Sequence, residues 1–463
     1  MRTKLANYID RYFSSELFTG QEITKMLFPL ILDMLCINAI NMLTVSMISS
    51  SGETSVAAVS MINPLSTLIL CLLNAIAAGG TVVVAQYKGQ GQEEKIRESA
   101  GHTLVLTFLI ALVFCILTIA FASPLVHLLY GNAESLVLSK SVTYLVGVSA
   151  SLILYSIYTG IFAIFRGLGE SKICLYLTIV INLSYFVFSF LFINLLHWDI
   201  MGTIAALILA RLLGACFSIY YLFIRRDRLL HLRRCDLTRF NRQIFGDMIK
   251  ISIPFSLEQV FLYGGSILVQ KYMVELGTNS IAANADASSL FSLICSAPLA
   301  VGNLATTVIG QCIGADKREL ARSYCMKLVH LGTIMILLSM VVFLPFMPLL
   351  IGLYHPTADL SAYVYRLLPL ALIPMPFFYS LSNVMPYVLR SAGDATFASV
   401  VSLITMWVVR VGAGYLAAIP LKYGLEGIWV CMALEWAVRS ILFFIRYKGN
   451  AWLSKSKRSL RDQ

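Results

Sequence analysis

Between Met26 and Arg446 the chain is a near-unbroken series of apolar runs separated by short polar breaks. Each run is too long for a strand, and each is long enough to cross a bilayer, which takes about 20 residues as a helix. Inside lipid only helices and closed barrels satisfy every backbone group, so the pattern restricts the fold to an all-α membrane protein. Composition agrees: 58% of the 463 residues are hydrophobic and 13% are charged, against roughly 25% charged in a soluble domain. Twelve transmembrane helices are read at 27–48, 56–85, 99–122, 136–165, 172–196, 202–224, 248–273, 281–312, 322–347, 361–389, 396–418 and 427–446. The segment before the first run is polar and mixed in charge, which reads as a cytoplasmic N-terminal segment (1–25) and not as a secretory leader.

The net charge of +11 is a topology signal before it is anything else. Lys140, Lys271, Arg366 and Lys422 fall in one set of loops, Arg211, Arg410 and Arg439 fall inside spans, and all other Lys and Arg fall in the opposite loops and the termini. The positive-inside rule then places both termini in the cytoplasm of a multi-pass protein of the cell membrane. No basic stripe interleaved with aromatics suggests nucleic acid. The basic stretch from Arg225 to Lys250 reads as a linker (225–247) between a first bundle (26–224) and a second (248–446), with a basic tail (447–463). It reads as a solvated, topology-setting loop, with anionic lipid as a further partner.

The two bundles repeat one another. With the chain offset against itself by 225 residues, Pro29 meets Pro254, Gly52 meets Gly277, Gln86 and Gly89 meet Gln311 and Gly314, and Gly202 meets Gly427. At an offset of 224, Arg166-Gly-Leu-Gly169-Glu170 meets Arg390-Ser-Ala-Gly393-Asp394. Six spans per half is an even number, so the halves form a parallel repeat. Such repeats place substrate sites near the midplane and reach them by alternating access. The sequence therefore reads as a secondary transporter. No metal-ligand cluster, nucleophile motif or phosphate loop argues for an enzyme or a cofactor. The ten cysteines are scattered singly without a CxxC, as small packed residues.

At Gly277-Thr-Asn-Ser-Ile-Ala-Ala-Asn284, at Gly310-Gln311-Cys-Ile-Gly314-Ala315, and at the Arg-x-x-Gly-Asp/Glu turns from Arg166 and Arg390, the chain resembles the multidrug and toxic compound extrusion (MATE) family over about residues 25–446. The resemblance implies export of small organic, often cationic, compounds coupled to H⁺ or Na⁺, by a protein functional as a monomer. A flippase for a lipid-linked or anionic substrate on a related fold is the competing function.

Four acids lie within spans: Asp33, Glu258, Asp286 and Glu435. An ionised side chain at the bilayer centre costs about 2.5–3.5 kcal/mol on insertion scales, so each needs a partner, a proton or water. Asp33 and Glu258 are repeat partners, four residues beyond Pro29 and Pro254. A carboxylate there suits cation coupling, including Na⁺ at Glu258; the competing reading is a buried acid satisfied by a nearby Arg or Ser. Asp286 either joins that site or is hydrated near the interface. Glu435 and Arg439, four apart, read as an ion pair on one helix face. Arg211 and Arg410 have no partner evident in sequence; they either pair with Asp33 or Glu258 or meet an anionic substrate.

The resemblance adds Tyr379 and Asn383, where family members place a tyrosine and a carboxylate near the cation site. It also marks departures. An acid expected late in the first helix is Thr44 here, and an Asn-x-x-x-Asp pattern in the fifth span is Asn182 to Phe186. Tyr155, Tyr158, Phe162, Phe261, Tyr263, Phe377 and Phe378 either line an aromatic pocket for lipophilic cations or are core and lipid-facing residues. Pro64, Pro298, Pro369, Pro374, Pro376 and Pro386 are candidate bends or hinges.

Overall fold

The structure, a computed structural model, describes residues 10, 12–48, 53–130, 134–224, 236, 239–352 and 358–453. Most of the basic linker and residues 454–463 of the basic tail lie outside them, as does the side chain of Thr44. Among the described residues there is no strand. The long helices are α1 (Gly20–Ile48), α2 (Glu53–Gln90), α3 (Glu93–Ala120), α4 (Ser135–Gly167), α5 (Ser171–Ser189), α6 (Asp199–Ile219), α7 (Arg242–Glu275), α8 (Thr278–Gly314), α9 (Arg318–Phe343), α10 (Ala358–Leu372), α11 (Met375–Ser391), α12 (Ala395–Thr405) and α13 (Gly424–Lys448). Eleven stretches are each long and apolar enough to cross a membrane, and α10 with α11 makes a twelfth span bent by 65°. The bend falls where Pro374 starts α11 and Pro369 interrupts α10, since proline removes a backbone donor and crowds the preceding turn. The fifth and eleventh spans continue beyond α5 and α12 in π-helical turns, Phe190–Leu195 and Met406–Ala413.

The repeat is visible in the turns. Gly169 and Gly393 adopt φ of 79° and 86°, the left-handed region that costs glycine nothing. Each closes its helix in the same way. Gly169 N–H donates to Arg166 O and Glu170 N–H to Phe165 O, while Gly393 N–H donates to Arg390 O and Asp394 N–H to Leu389 O. These two bonds satisfy carbonyls that a helix end would otherwise leave bare. The same pair of bonds ends α2 at Gly91 and α8 at Asp316, so Asp316 and not Gly314 holds the left-handed position there. At the opposite helix ends His197 matches Lys422, and Asp199 matches Gly424, all with φ between 52° and 59°. Each of these pairs lies at the 224- or 225-residue offset read from the sequence.

Packing divides the chain into two compact units: Leu35–Ser256, and Met1–Met34 together with Leu257–Gln463. The divisions fall inside α1 and α7, five residues after Pro29 and two after Pro254. In the first unit α4 is the hub, packed on α2, α3 and α6. Its core includes Ile62, Val126, Leu145 and Ile204. In the second unit α8 is the most buried helix and packs on α9 and α11. One core cluster there joins Phe13, Phe18, Ile23 and Leu30 to Leu304, Val308, Tyr324 and Trp452.

Candidate functional site

Glu258 stands in the middle of α7 with 4% of its surface exposed. Arg390, near the end of α11, donates through Nη2 to both carboxylate oxygens, at 2.8 and 2.7 Å. Ser399 on α12 donates to Oε2 at 2.8 Å. All three side chains are buried. A charged donor shared over both oxygens is a strong contact. Of the two readings the sequence left open for Glu258, the structure has an Arg and a Ser beside it, and the Arg is neither Arg211 nor Arg410.

The same face of α12 carries a second polar cluster. Ser399, Ser402 and Thr405 recur at helical spacing, and the latter two turn to Arg439 of α13: Nε donates to Thr405 Oγ1 at 3.1 Å and Nη2 to Ser402 O at 3.3 Å. Arg439 also bonds Glu435, the pair expected from their spacing. Arg410, in the π-helical turn after α12, brings Nε to 2.5 Å of Glu435 Oε2 as a charge contact off the hydrogen-bond direction. One row of small hydroxyl residues thus links Glu258–Arg390 to Arg410–Glu435–Arg439.

Asp33 is fully buried on α1, and its neighbours Leu30, Ile31 and Met34 pack on the core that α8 and α9 share. Asp286 is half-buried on α8 and makes no hydrogen bond or ion pair among the described residues. Tyr379 is packed edge-on against Trp436 and Phe291, at ring separations of 5.1 and 6.0 Å. Asn383 donates to the carbonyl of Tyr379 on its own helix, at 3.1 Å. Phe377 is exposed.

In the other unit the structure does gather what the sequence had scattered. Arg211 of α6 is buried; its Nη1 donates to Ser151 Oγ at 2.6 Å, and its guanidinium lies over the Tyr155 ring at 4.8 Å. Tyr155, Tyr158 and Phe162 follow along α4 with ring centroids 5.8 and 5.7 Å apart. Tyr158 Oη meets Thr178 Oγ1 at 3.2 Å, and Asn182 donates to the Thr178 carbonyl at 2.9 Å. Tyr155 Oη donates to Asn74 of α2 at 3.3 Å.

Sequence reasoning missed Arg390 and Ser399 as partners of Glu258. The signal for Arg390 was present, since it opens the repeated Arg-x-x-Gly turn, but the turn drew attention to backbone geometry. Ser399 is one serine among many in the spans. The Asn74–Tyr155 contact also had no signal in the pattern.

Comparison with known proteins locates this architecture. The MatE family model matches residues 29–191 and again 254–416, so it covers most of both repeats. The uncharacterized transporter YisQ of Bacillus subtilis is 26% identical over 413 residues, which is 88% of this chain and 90% of that one. The probable multidrug resistance protein NorM of Thermotoga maritima is 22% identical over 448 residues, 93% of each. The solved structure of MATE in complex with MaL6 has the same fold, with a TM-score of 0.86 at 19% identity over 94% of this chain and 97% of that one.

Proposed function

Because the chain belongs to the MatE family and resembles a probable multidrug resistance protein, we propose that it is a secondary active exporter of small organic compounds, often cationic, by antiport against a cation. The observation that carries this reading is the buried Glu258 bracketed by Arg390 and Ser399. Mid-span, such a carboxylate can be neutral with a bound cation or ionised with Arg390 opposite it. Those two states differ in what Arg390 must do, which is the differential contact a switch requires.

Between the two coupling ions, the geometry supports H⁺. A proton needs one lone pair of Glu258 and can arrive without displacing Ser399. Na⁺ at Glu258 needs several oxygen ligands and must displace the Arg390 guanidinium from both carboxylate oxygens. Protonation of Glu258 weakens its hold on Arg390, and export follows as the repeats alternate access. Asp33, fully buried in the same unit, is the second proposed titratable site. Asp286, Tyr379, Asn383 and Asn182 are proposed as substrate contacts. Both termini are proposed to lie in the cytoplasm and the monomer to be the working unit. The membrane potential contributes about 2.3 kcal/mol per net charge per 100 mV.

One observation favours the flippase reading: Arg211 is buried in its unit without a carboxylate partner among the described residues. Efflux of ethidium from energised cells separates the two. Export by the wild type that collapses in Glu258→Gln supports cation-coupled multidrug antiport. A well-inserted wild type that exports nothing turns the assignment to an anionic or lipid-linked substrate.

A further inference from the structure

Arg211 sits in the thirteenth position of α6, away from both ends, with 5% of its surface exposed. Among the described residues, every Asp and Glu of the Leu35–Ser256 unit stands in a connection or within two turns of a helix end. Arg211 therefore carries a buried positive charge that no acid among the described residues of its unit neutralises. The second unit differs. There Glu258 faces Arg390, and Glu435 faces Arg410 and Arg439.

A guanidinium has five N–H donors. Among the described residues one is accepted, by Ser151. The Tyr155 ring covers one face of the group, which satisfies part of its charge but none of the remaining donors. Tyr144 and Tyr185 stand within electrostatic range, and phenols are neutral at pH 7. Next to the guanidinium the surface becomes accessible: Tyr155 is half-buried and bonds Asn74, which is exposed in the middle of α2. Beyond Tyr155 the rings of Tyr158 and Phe162 continue the same face of α4.

We infer that Arg211, Ser151 and Tyr155 form an anion-binding subsite that takes the carboxylate or phosphate oxygens of an amphipathic substrate, whose apolar body lies along Tyr155 and Phe162. The inference rests on the transporter reading above and adds a chemical class to its substrates: compounds that carry an anionic group, zwitterions included. Arg is suited to this because its fork matches an oxyanion with two parallel bonds. The oxyanion reaches the subsite either on a free organic acid or on an anionic lipid headgroup.

The test is a calorimetric titration of the purified full chain, not energised, in detergent. The probes are 1-naphthoate and its neutral counterpart 1-naphthamide. The wild type is expected to bind the carboxylate at least about tenfold more tightly, as a charged hydrogen bond in a buried site provides. Arg211→Gln is expected to abolish that preference, and Arg211→Lys to keep part of it as a point charge without the fork. Lys172→Gln, which removes an exposed charge of the same unit, is expected to leave it intact. Displacement of naphthoate by dihexanoyl phosphatidylglycerol, but not by the phosphatidylcholine analogue, supports the subsite with a lipid headgroup as the anion. Failure of both to displace it supports the subsite with a free organic acid. Equal affinity of the wild type for the two naphthalene probes, or a preference that survives Arg211→Gln, overturns the inference. If Arg211→Gln does not elute as a monodisperse species, the wild-type comparison and Arg211→Lys still decide. Because no gradient is present, a failed ethidium efflux leaves this result standing, and a lost anion preference leaves the Glu258 reading standing.

Discussion

Replacing Arg390 by Met tests whether Glu258 is held as an ion. Arg390 Nη2 is the charged donor to both oxygens of a carboxylate that is 4% exposed, and Ser399 is its other recorded donor. Removing one partner of a buried pair strands the other charge and costs about 3–5 kcal/mol. Ser399 offsets part of that, and a proton taken up by Glu258 offsets more, so the lower end is expected. Glu258→Gln is milder: its amide keeps an acceptor for Arg390. The double variant Glu258→Gln with Arg390→Met removes both charges and is expected to recover most of the loss, because buried pairs and neutral replacements of similar size are close in stability. Thermal unfolding of the four proteins in detergent gives the cycle, and ethidium efflux from cells gives the function. The expected pattern is a low melting temperature in Arg390→Met, a near-wild-type one in the double variant, and no efflux in either. A melting temperature for Arg390→Met indistinguishable from wild type would refute the buried-pair argument. Wild-type efflux in the double variant would refute the coupling role.

Four further outcomes follow from contacts described above. Arg439→Leu, which strips Glu435, Thr405 and Ser402 of their shared donor, is expected to lower folded yield on size-exclusion chromatography more than Arg410→Leu, after which Arg439 still faces Glu435. Tyr324→Phe removes hydroxyl bonds to Phe13 O and to Ser15 and is expected to cost about 1 kcal/mol, read as faster hydrogen exchange over residues 12–19. The hydrogen bond from Lys317, aided by its charge, holds the exposed Glu16 carboxyl below its ordinary range. A depressed carboxyl contributes stability above its unfolded value and loses it as pH falls through the folded one. Limited proteolysis of the N-terminal segment should therefore be flat from neutral to mildly acidic pH and rise only below the ordinary carboxylate range, with that rise weakened in Lys317→Gln. At Gly393, with φ of 86° and no atom within 4 Å of an added Cβ, only backbone strain acts. Gly393→Val is expected to cost at least the 1–2 kcal/mol typical of a left-handed residue, and Gly393→Asn distinctly less, measured as melting temperatures.

What the sequence made legible is what depends on near neighbours along the chain. Span lengths follow from apolar runs, and each run read from sequence overlaps an observed span, with ends that differ by up to eight residues. The repeat follows because Gly169 and Gly393, or Pro29 and Pro254, can be aligned by eye. The Glu435–Arg439 pair was legible because one helix turn joins it. The partners of Glu258 were not, since Arg390 lies 132 residues away and Ser399 lies 141 residues away. Their meeting depends on how α7, α11 and α12 pack. The prolines around Pro374 announced a bend but not its 65°, which neighbouring helices set. The left-handed turns at His197, Asp199, Asp316 and Lys422 were illegible for a different reason. Nothing in those side chains demands φ > 0; the helix ends impose it.

The contrast between turns and charges bears on where function resides. The turns of the two repeats agree pair by pair, down to the two hydrogen bonds that close each helix. Backbone closure of this kind tolerates a change of residue, as Gly91 against Asp316 and Asp199 against Gly424 demonstrate. The charges agree only in part: Arg166 meets Arg390 and Glu170 meets Asp394, but Arg410 and Arg439 have no charged counterpart at either offset. Asp33 and Glu258 are partners in the repeat, yet both belong to one compact unit, because the chain divides just beyond Pro29 and Pro254. Four buried acids, Asp33, Glu258, Asp394 and Glu435, lie in that unit with Arg390, Arg410 and Arg439, while the other unit has the buried Asp236 in its linker and Arg211, which faces no acid among the described residues. A duplicated scaffold would carry matched charges if they served only to hold helices together. Their segregation instead suits two tasks: a site in one unit that gains and loses a cation, and a site in the other that recognises an anionic group. Moving an acid into the Arg211 unit separates task from scaffold. Ser151→Asp places a carboxylate beside Arg211 and is expected to neutralise it, preserving or raising the melting temperature while abolishing the preference for 1-naphthoate. A variant that binds 1-naphthoate as the wild type does would show that Arg211 serves the fold alone.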